Sequence, residues 1–113
     1  ETLAQVSELF LGTHDFLAFG SPTTPKGSTV RTVTVSAWKM LDSEWQFEVQ
    51  ADAFLYRMVR RMVFVQVSTA QGKCSVEEVG NAISKQTKLP SGLAPAHGLT
   101  LVEVKYDRSI ELN

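Results

Sequence analysis

Three arginines, Arg57, Arg60 and Arg61, fall within five residues inside an otherwise apolar run, Ala53-Phe54-Leu55-Tyr56-Arg57-Met58-Val59-Arg60-Arg61-Met62-Val63. A guanidinium drawn into an apolar setting is costly unless a partner neutralises it. The run therefore reads as a place that meets an anion: a carboxylate, a phosphate or a nucleic-acid backbone. Between Ala53 and Val76 there are four basic residues (the three arginines and Lys73) and no acidic one, so such a site is local to this segment. Other chemistries have less behind them. Cys74 with His14 or His97 would be a thiol and a base, but their spacing does not support the pairing. Two histidines and one cysteine at unrelated spacings are too few for a metal site. Gly72 and Gly92 stand alone, without the strand and helix context of a phosphate loop. His14 beside Asp15 could form an acid/base pair, but adjacent residues rarely face each other, so a turn that sends Phe16 and Phe19 into the core is the better reading. Stacking of those rings on nucleic-acid bases is the alternative.

The elements that position these residues follow from periodicity. As a helix over 53–69, advancing about 100° per residue, the run places Arg57, Arg60 and Arg61 in one sector of roughly 100°, shared only with Phe64 and Ser68. Phe54, Met58, Met62 and Val65 centre the apolar face, and Leu55, Tyr56, Val59, Val63 and Val67 extend it. The basic stripe must then look into a cleft or into solvent, and the pattern alone favours neither. Asp52 is placed to cap this helix or to pair with Arg57.

Upstream, Thr2 to Leu11 reads as a helix with Leu3, Val6 and Phe10 on one face and Gly12 as its stop. Residues 13–19 are a connection and 20–29 a Gly/Pro/Ser loop. Val30 to Met40 is β-branched, with Val33, Val35 and Ala37 expected on one face and Thr32, Thr34 and Ser36 on the other. A turn over Leu41-Asp42-Ser43-Glu44 leads to Trp45, Phe47, Val49 and Ala51 alternating with Gln46, Glu48 and Gln50, which completes a hairpin with one buried face. After the arginine segment, Gly72 is a stop. Ser75 and Glu78 form a capping-box signature ahead of a stripe of Val76, Val79, Ala82 and Ile83. Residues 88–98 form a loop long enough to be functional. Leu99 to Tyr106 reads as a last strand, with Val102, Val104 and Tyr106 on one face. The order predicts an α+β fold, a mostly antiparallel sheet with helices packed on one face. Three strands make a thin sheet, so an edge is expected to pair with something outside this chain.

Composition sets the limits. The 113 residues, 43% hydrophobic and 20% charged, suit a single domain over 1–113. A net charge of −1 excludes binding of nucleic acid by bulk positive charge. The single cysteine excludes an internal disulfide and fits a reducing, cytoplasmic setting. No apolar run approaches a membrane span. The chain opens on Glu1 and at once reads as helix, so a piece of something longer is expected.

Together these segments resemble the C-terminal half of the TruA family of tRNA pseudouridine synthases. The resemblance rests on Gly12-Thr13-His14-Asp15-Phe16-Leu17-Ala18-Phe19, Arg31-Thr32-Val33, Ala53-Phe54-Leu55-Tyr56-Arg57-Met58-Val59-Arg60, Gly72-Lys73 and Ala94-Pro95-Ala96-His97-Gly98-Leu99-Thr100-Leu101 with Val104 and Tyr106. These occur in the family's order and cover nearly all of residues 9–106. The resemblance implies an enzyme that isomerises uridine to pseudouridine in the anticodon arm of tRNA, without organic cofactor or metal. It implies a homodimer, each subunit built from two similar α+β halves facing a basic cleft. The nucleophilic aspartate and a base-stacking tyrosine lie in the N-terminal half, and Arg60 lines the pocket and pairs with that aspartate. Arg57, Arg61, Lys73, His14 and Phe16 are then the candidate RNA contacts. The upstream aspartate motif is missing here, so this chain alone is expected to be inactive. Phe64 and Ala70 stand where the family usually has glycine, and Phe64 implies a shifted neighbour or an altered cleft. The rival reading is a non-catalytic RNA-binding or dimerisation module that keeps the fold.

Overall fold

The computed structural model describes residues 2–22, 24 and 27–94. In chain order these form α1 (Thr2–Leu9), β1 (Gly12–Asp15), a 3-10 turn (Leu17–Phe19), β2 (Val30–Leu41), β3 (Glu44–Ala51), α2 (Met58–Ala70) and α3 (Val76–Lys85). The strands make one antiparallel sheet in the order β1-β2-β3. The α+β arrangement is as the sequence predicts. The strand expected over 99–106 and His97 lie outside the described residues. The third strand among the described residues is instead β1, four residues without a single apolar side chain beyond Gly12, held by pairing with β2 rather than by burial.

The hairpin shows why a two-residue period is not enough to assign faces. Its turn is the expected one, with Asp42 and Ser43 both at positive φ (51° and 65°), the geometry a two-residue hairpin loop requires. Along β2, however, Val33 pairs with Ala51 and Val35 with Gln50, so β2 carries an extra residue at Thr34. Such a bulge moves the following side chains to the opposite face. Ser36 and Trp38, not Val35 and Ala37, therefore join Val33 on the inner face, and Ala37 is exposed. Both newcomers are polar at their tips and both find partners. Ser36 Oγ donates to the Ser7 carbonyl of α1 at 2.7 Å, and Trp38 Nε1 donates to Gln66 Oε1 of α2 at 2.8 Å. The two helices thus lie over the same face of the sheet. On β3 the alternation holds: Val49 and Ala51 are buried, Phe47 is half-buried against Trp38, and Trp45 is exposed at the tip.

The core is continuous from α1 through α2 to α3. Phe10, Phe16 and Phe19 cluster, with Phe10 edge-on to Phe19 at 5.2 Å and Phe16 to Phe19 at 6.1 Å. Met58, Met62 and Val65 meet them from α2, and Val79, Ala82 and Ile83 from α3. The capping box forms as expected: Glu78 N donates to Ser75 Oγ at 3.1 Å, and Ser75 N to Glu78 Oε1 at 2.8 Å. Gly72, at φ 80°, closes α2 in the left-handed conformation.

The arginine helix begins later than its periodicity suggests, at Met58 rather than near Ala53. Asp52 neither caps it nor pairs with Arg57. Its Oδ1 accepts from the amides of Thr32 and Ala53, both at 2.9 Å, and ties off the end of the hairpin. Residues 53–55 carry no regular secondary structure, and Tyr56 forms an antiparallel bridge with Ser21. The chain then turns into the helix through Arg57, whose φ of 66° and ψ of 8° are left-handed. That crossing needs Gly20: a Cβ there would stand 2.7 Å from the Tyr56 carbonyl oxygen.

Candidate functional site

The late start of α2 decides where its arginines go. Arg57 precedes the helix and lies over the Tyr56 ring, with its guanidinium carbon 4.9 Å from the ring centroid. Arg60 and Arg61 lie in the first turn, and both reach the segment 91–94, which runs alongside. Arg60 Nε donates to the Ala94 carbonyl at 2.9 Å, and the Ala94 amide donates back to the Arg60 carbonyl at 3.2 Å. Arg61 Nη1 donates to the Gly92 carbonyl at 3.0 Å, and its guanidinium carbon stands 6.0 Å from the Phe64 ring centroid. Phe64 is the residue for which a shifted neighbour was expected. Its ring stands against Gly92, so closely that any Cβ there would run into it.

These elements enclose an open cleft of about 410 Å³. One wall is Leu17 to Ser21, another is Ser91 to Leu93, and Tyr56, Arg57 and Arg61 complete it. No acidic residue is among these. The one ion pair among the described residues, Lys39 with Glu48 at 3.7 Å, is exposed on the hairpin. Among the described residues the arginines are therefore met by carbonyl dipoles and aromatic faces, not by carboxylates. Partial burial pushes the Arg61 guanidinium below its usual pKa, and a weaker electrostatic contribution from Cys74 pushes the other way. A half-buried cation without a carboxylate partner among the described residues is chemically able to receive an anion.

The remaining sequence-predicted residues do not join this cleft. Phe16 is fully buried (0% exposed) between Phe10 and Phe19, so the core reading holds and its ring offers no face for stacking on a base. His14 is on β1, with Nε2 2.6 Å from the Leu11 carbonyl and its ring edge-on to Phe16. Asp15 accepts from Leu17 N and Thr29 Oγ1, which is the turn-building role. Lys73 is exposed in the turn beyond the far end of α2, roughly 20 Å from its start at 1.5 Å per residue. Cys74 is buried against Thr69 Oγ1 at 3.1 Å. Of the three arginines, Arg57 and Arg61 line the cleft and Arg60 does not. Sequence reasoning missed Tyr56, Gly20 and Gly92 as site-builders. Tyr56 falls on the apolar helical face that the spacing predicts, Gly20 opens a Gly/Pro/Ser loop, and Gly92 stands alone without a phosphate-loop pattern.

Comparison with known proteins adds an independent line. Residues 6–107 match a family described as tRNA pseudouridine synthase. A tRNA pseudouridine synthase A of Acetivibrio thermocellus is 39% identical over 107 residues, covering 94% of this chain and 44% of its own length. One from Chloroflexus aurantiacus is 40% identical, covering 88% and 37%. A tRNA pseudouridine synthase A 1 of Bacillus cereus is 39% identical over 99 residues, covering 87% and 40%. The chain thus spans less than half the length of these relatives.

Proposed function

The chain belongs to the tRNA pseudouridine synthase family, and from that membership we propose that it acts as the C-terminal half of an enzyme that converts uridine to pseudouridine in the anticodon arm of tRNA. The isomerisation detaches the base from C1′ at N1 and reattaches it through C5; the C5 proton leaves and N1 regains one. No redox equivalent is consumed, and the demands on the protein are a nucleophile, a held substrate and exclusion of competing chemistry. The nucleophilic aspartate belongs to the missing upstream half, and the complete enzyme works as a cytoplasmic homodimer.

Arg60 supplies the partner for that aspartate. Its Nε is engaged by the Ala94 carbonyl, which fixes the plane of the guanidinium, and no acceptor among the described residues takes its terminal nitrogens. A planar fork held in this way suits bidentate capture of a carboxylate. The pairing holds the carboxylate ionised, as a nucleophile requires. Arg57 and Arg61 contact the RNA backbone, with smaller contributions from Lys73 and His14 at the periphery.

The observation that carries this reading is the cluster of three arginines at the start of α2 with no acidic partner among the described residues. The test is tritium release from tRNA labelled at uridine C5, with the intact synthase and its Arg60→Ala variant. The variant is expected to lose turnover while tRNA affinity falls only modestly. Equal turnover in the two overturns the role given to Arg60. Binding without turnover in the unmodified synthase moves the assignment to an RNA-binding module.

A further inference from the structure

We propose that the cleft between Leu17–Ser21 and Ser91–Leu93 is a subsite for one unstacked nucleotide of the RNA strand, its base against Tyr56 and its phosphate between Arg57 and Arg61, separate from the position served by Arg60. The proposal rests on the reading of this chain as half of an RNA-modifying enzyme, and adds to it a second place where the strand is held.

Four observations lead to it. The volume, about 410 Å³, lies at the lower end of the range for small-molecule sites, roughly 300–1,000 Å³, and suits a nucleotide rather than a helix. The two charged groups of the lining are both arginines, and neither is ion-paired among the described residues. The site also has a platform. Tyr56 is 59% exposed, yet its backbone is fixed by the bridge to Ser21, with Tyr56 N donating to the Ser21 carbonyl at 2.9 Å. A large aromatic side chain that is anchored and exposed is a stacking surface, and a guanidinium against it extends that surface. Finally, Arg57 is held at φ 66°, a conformation that L side chains adopt at a cost, and that turn is what separates it from α2 and leaves it at Tyr56.

Separation from Arg60 follows from the same geometry. Segment 91–94 takes Arg61 at the Gly92 carbonyl and Arg60 two residues further on, at Ala94. Only the first of these faces the cleft. A strand bound at both positions would be held on either side of this segment, with the reacting uridine at Arg60 and a neighbouring nucleotide in the cleft.

The test is an NMR titration of the isotopically labelled 113-residue chain with 5′-UMP, with uridine and with inorganic phosphate as separate probes. Perturbation by 5′-UMP is expected at the amides of Gly20, Ser21, Tyr56 and Gly92 and at the Tyr56 ring, with affinity at least about tenfold above that of uridine or phosphate. Tyr56→Ala should lose about tenfold in 5′-UMP affinity and Tyr56→Phe should retain it, since stacking needs the ring and not the hydroxyl. Perturbation confined to other residues overturns the proposal. So does equal binding of phosphate alone, which would leave only an anion site, or unchanged affinity in Tyr56→Ala. The titration needs neither turnover nor the upstream half, so it can fail while Arg60 keeps its role, and Arg60 can fail while the subsite stands.

Discussion

The two sides of α2 meet their neighbours in opposite ways. On the inner side, Met58, Met62 and Val65 are fully enclosed, and most of the polar contacts beside them are internal: Gln66 Oε1 takes the Trp38 indole and Thr69 Oγ1 donates to the Val65 carbonyl at 2.8 Å, while Gln66 Nε2 is buried without a partner among the described residues. On the outer side, Arg57, Arg60 and Arg61 meet an aromatic ring and two backbone carbonyls, and no carboxylate among the described residues. The inner side is closed by apolar packing among the described residues. The outer side holds cations that no carboxylate among the described residues meets. Stability and function are therefore expected to respond separately to changes on the two sides.

The largest effect on stability belongs to the inner side. Met62→Ala removes a side chain that is 0% exposed, and about 2–5 kcal/mol of stability should go with it, read from denaturant midpoints. A loss below about 0.5 kcal/mol would mean the core collapses around the gap, and the contrast between the sides would weaken. Next comes the seam between helix and cleft. Gly92→Ala places a methyl group into the Phe64 ring at a φ of 144°, and should displace segment 91–94 at a cost of about 1–3 kcal/mol. Phe64→Ala in the same chain should recover about 1 kcal/mol or more of that cost, because the clash is a shared one. Strictly additive losses would show that Phe64 and Gly92 do not act as a pair. The smallest effect is on the outer side. Arg57→Gly relieves a left-handed arginine and should leave stability unchanged or raise it by up to about 1 kcal/mol, while RNA affinity at low salt falls. A fall in stability would mean that Arg57 holds the fold together after all.

What could be read from the sequence was what is encoded locally. Ser75 and Glu78 specify their helix start by mutual capping, and Leu41 to Glu44 specify their turn, so both appear where expected. The start of α2 was not legible because Phe54 and Leu55 carry helical spacing while lying in an irregular segment. What stops the helix from reaching them is the crossing of Gly20-Ser21 over Leu55-Tyr56, a contact between residues far apart in the chain. The bulge at Thr34 was hidden because β-branched residues suit either face of a strand, and only the pairing with β3 shows the extra residue. At the site, the arginine cluster was plain from composition, and the family resemblance was legible from its motifs. The cleft was not, since Tyr56 gained its place there from a bridge to Ser21 and Gly92 from the Phe64 ring. Phe64 itself proves to be the surface against which Gly92 seats the cleft wall.

The central claim is that this chain holds the arginine and not the nucleophile. Its most direct test is tritium release from uridine-labelled tRNA by the 113-residue chain at high concentration, alone and with the family's N-terminal half added. The account predicts no release from the chain alone and release when the upstream half is present. Release from the chain alone would show that a carboxylate within these residues attacks the nucleotide, and would contradict it.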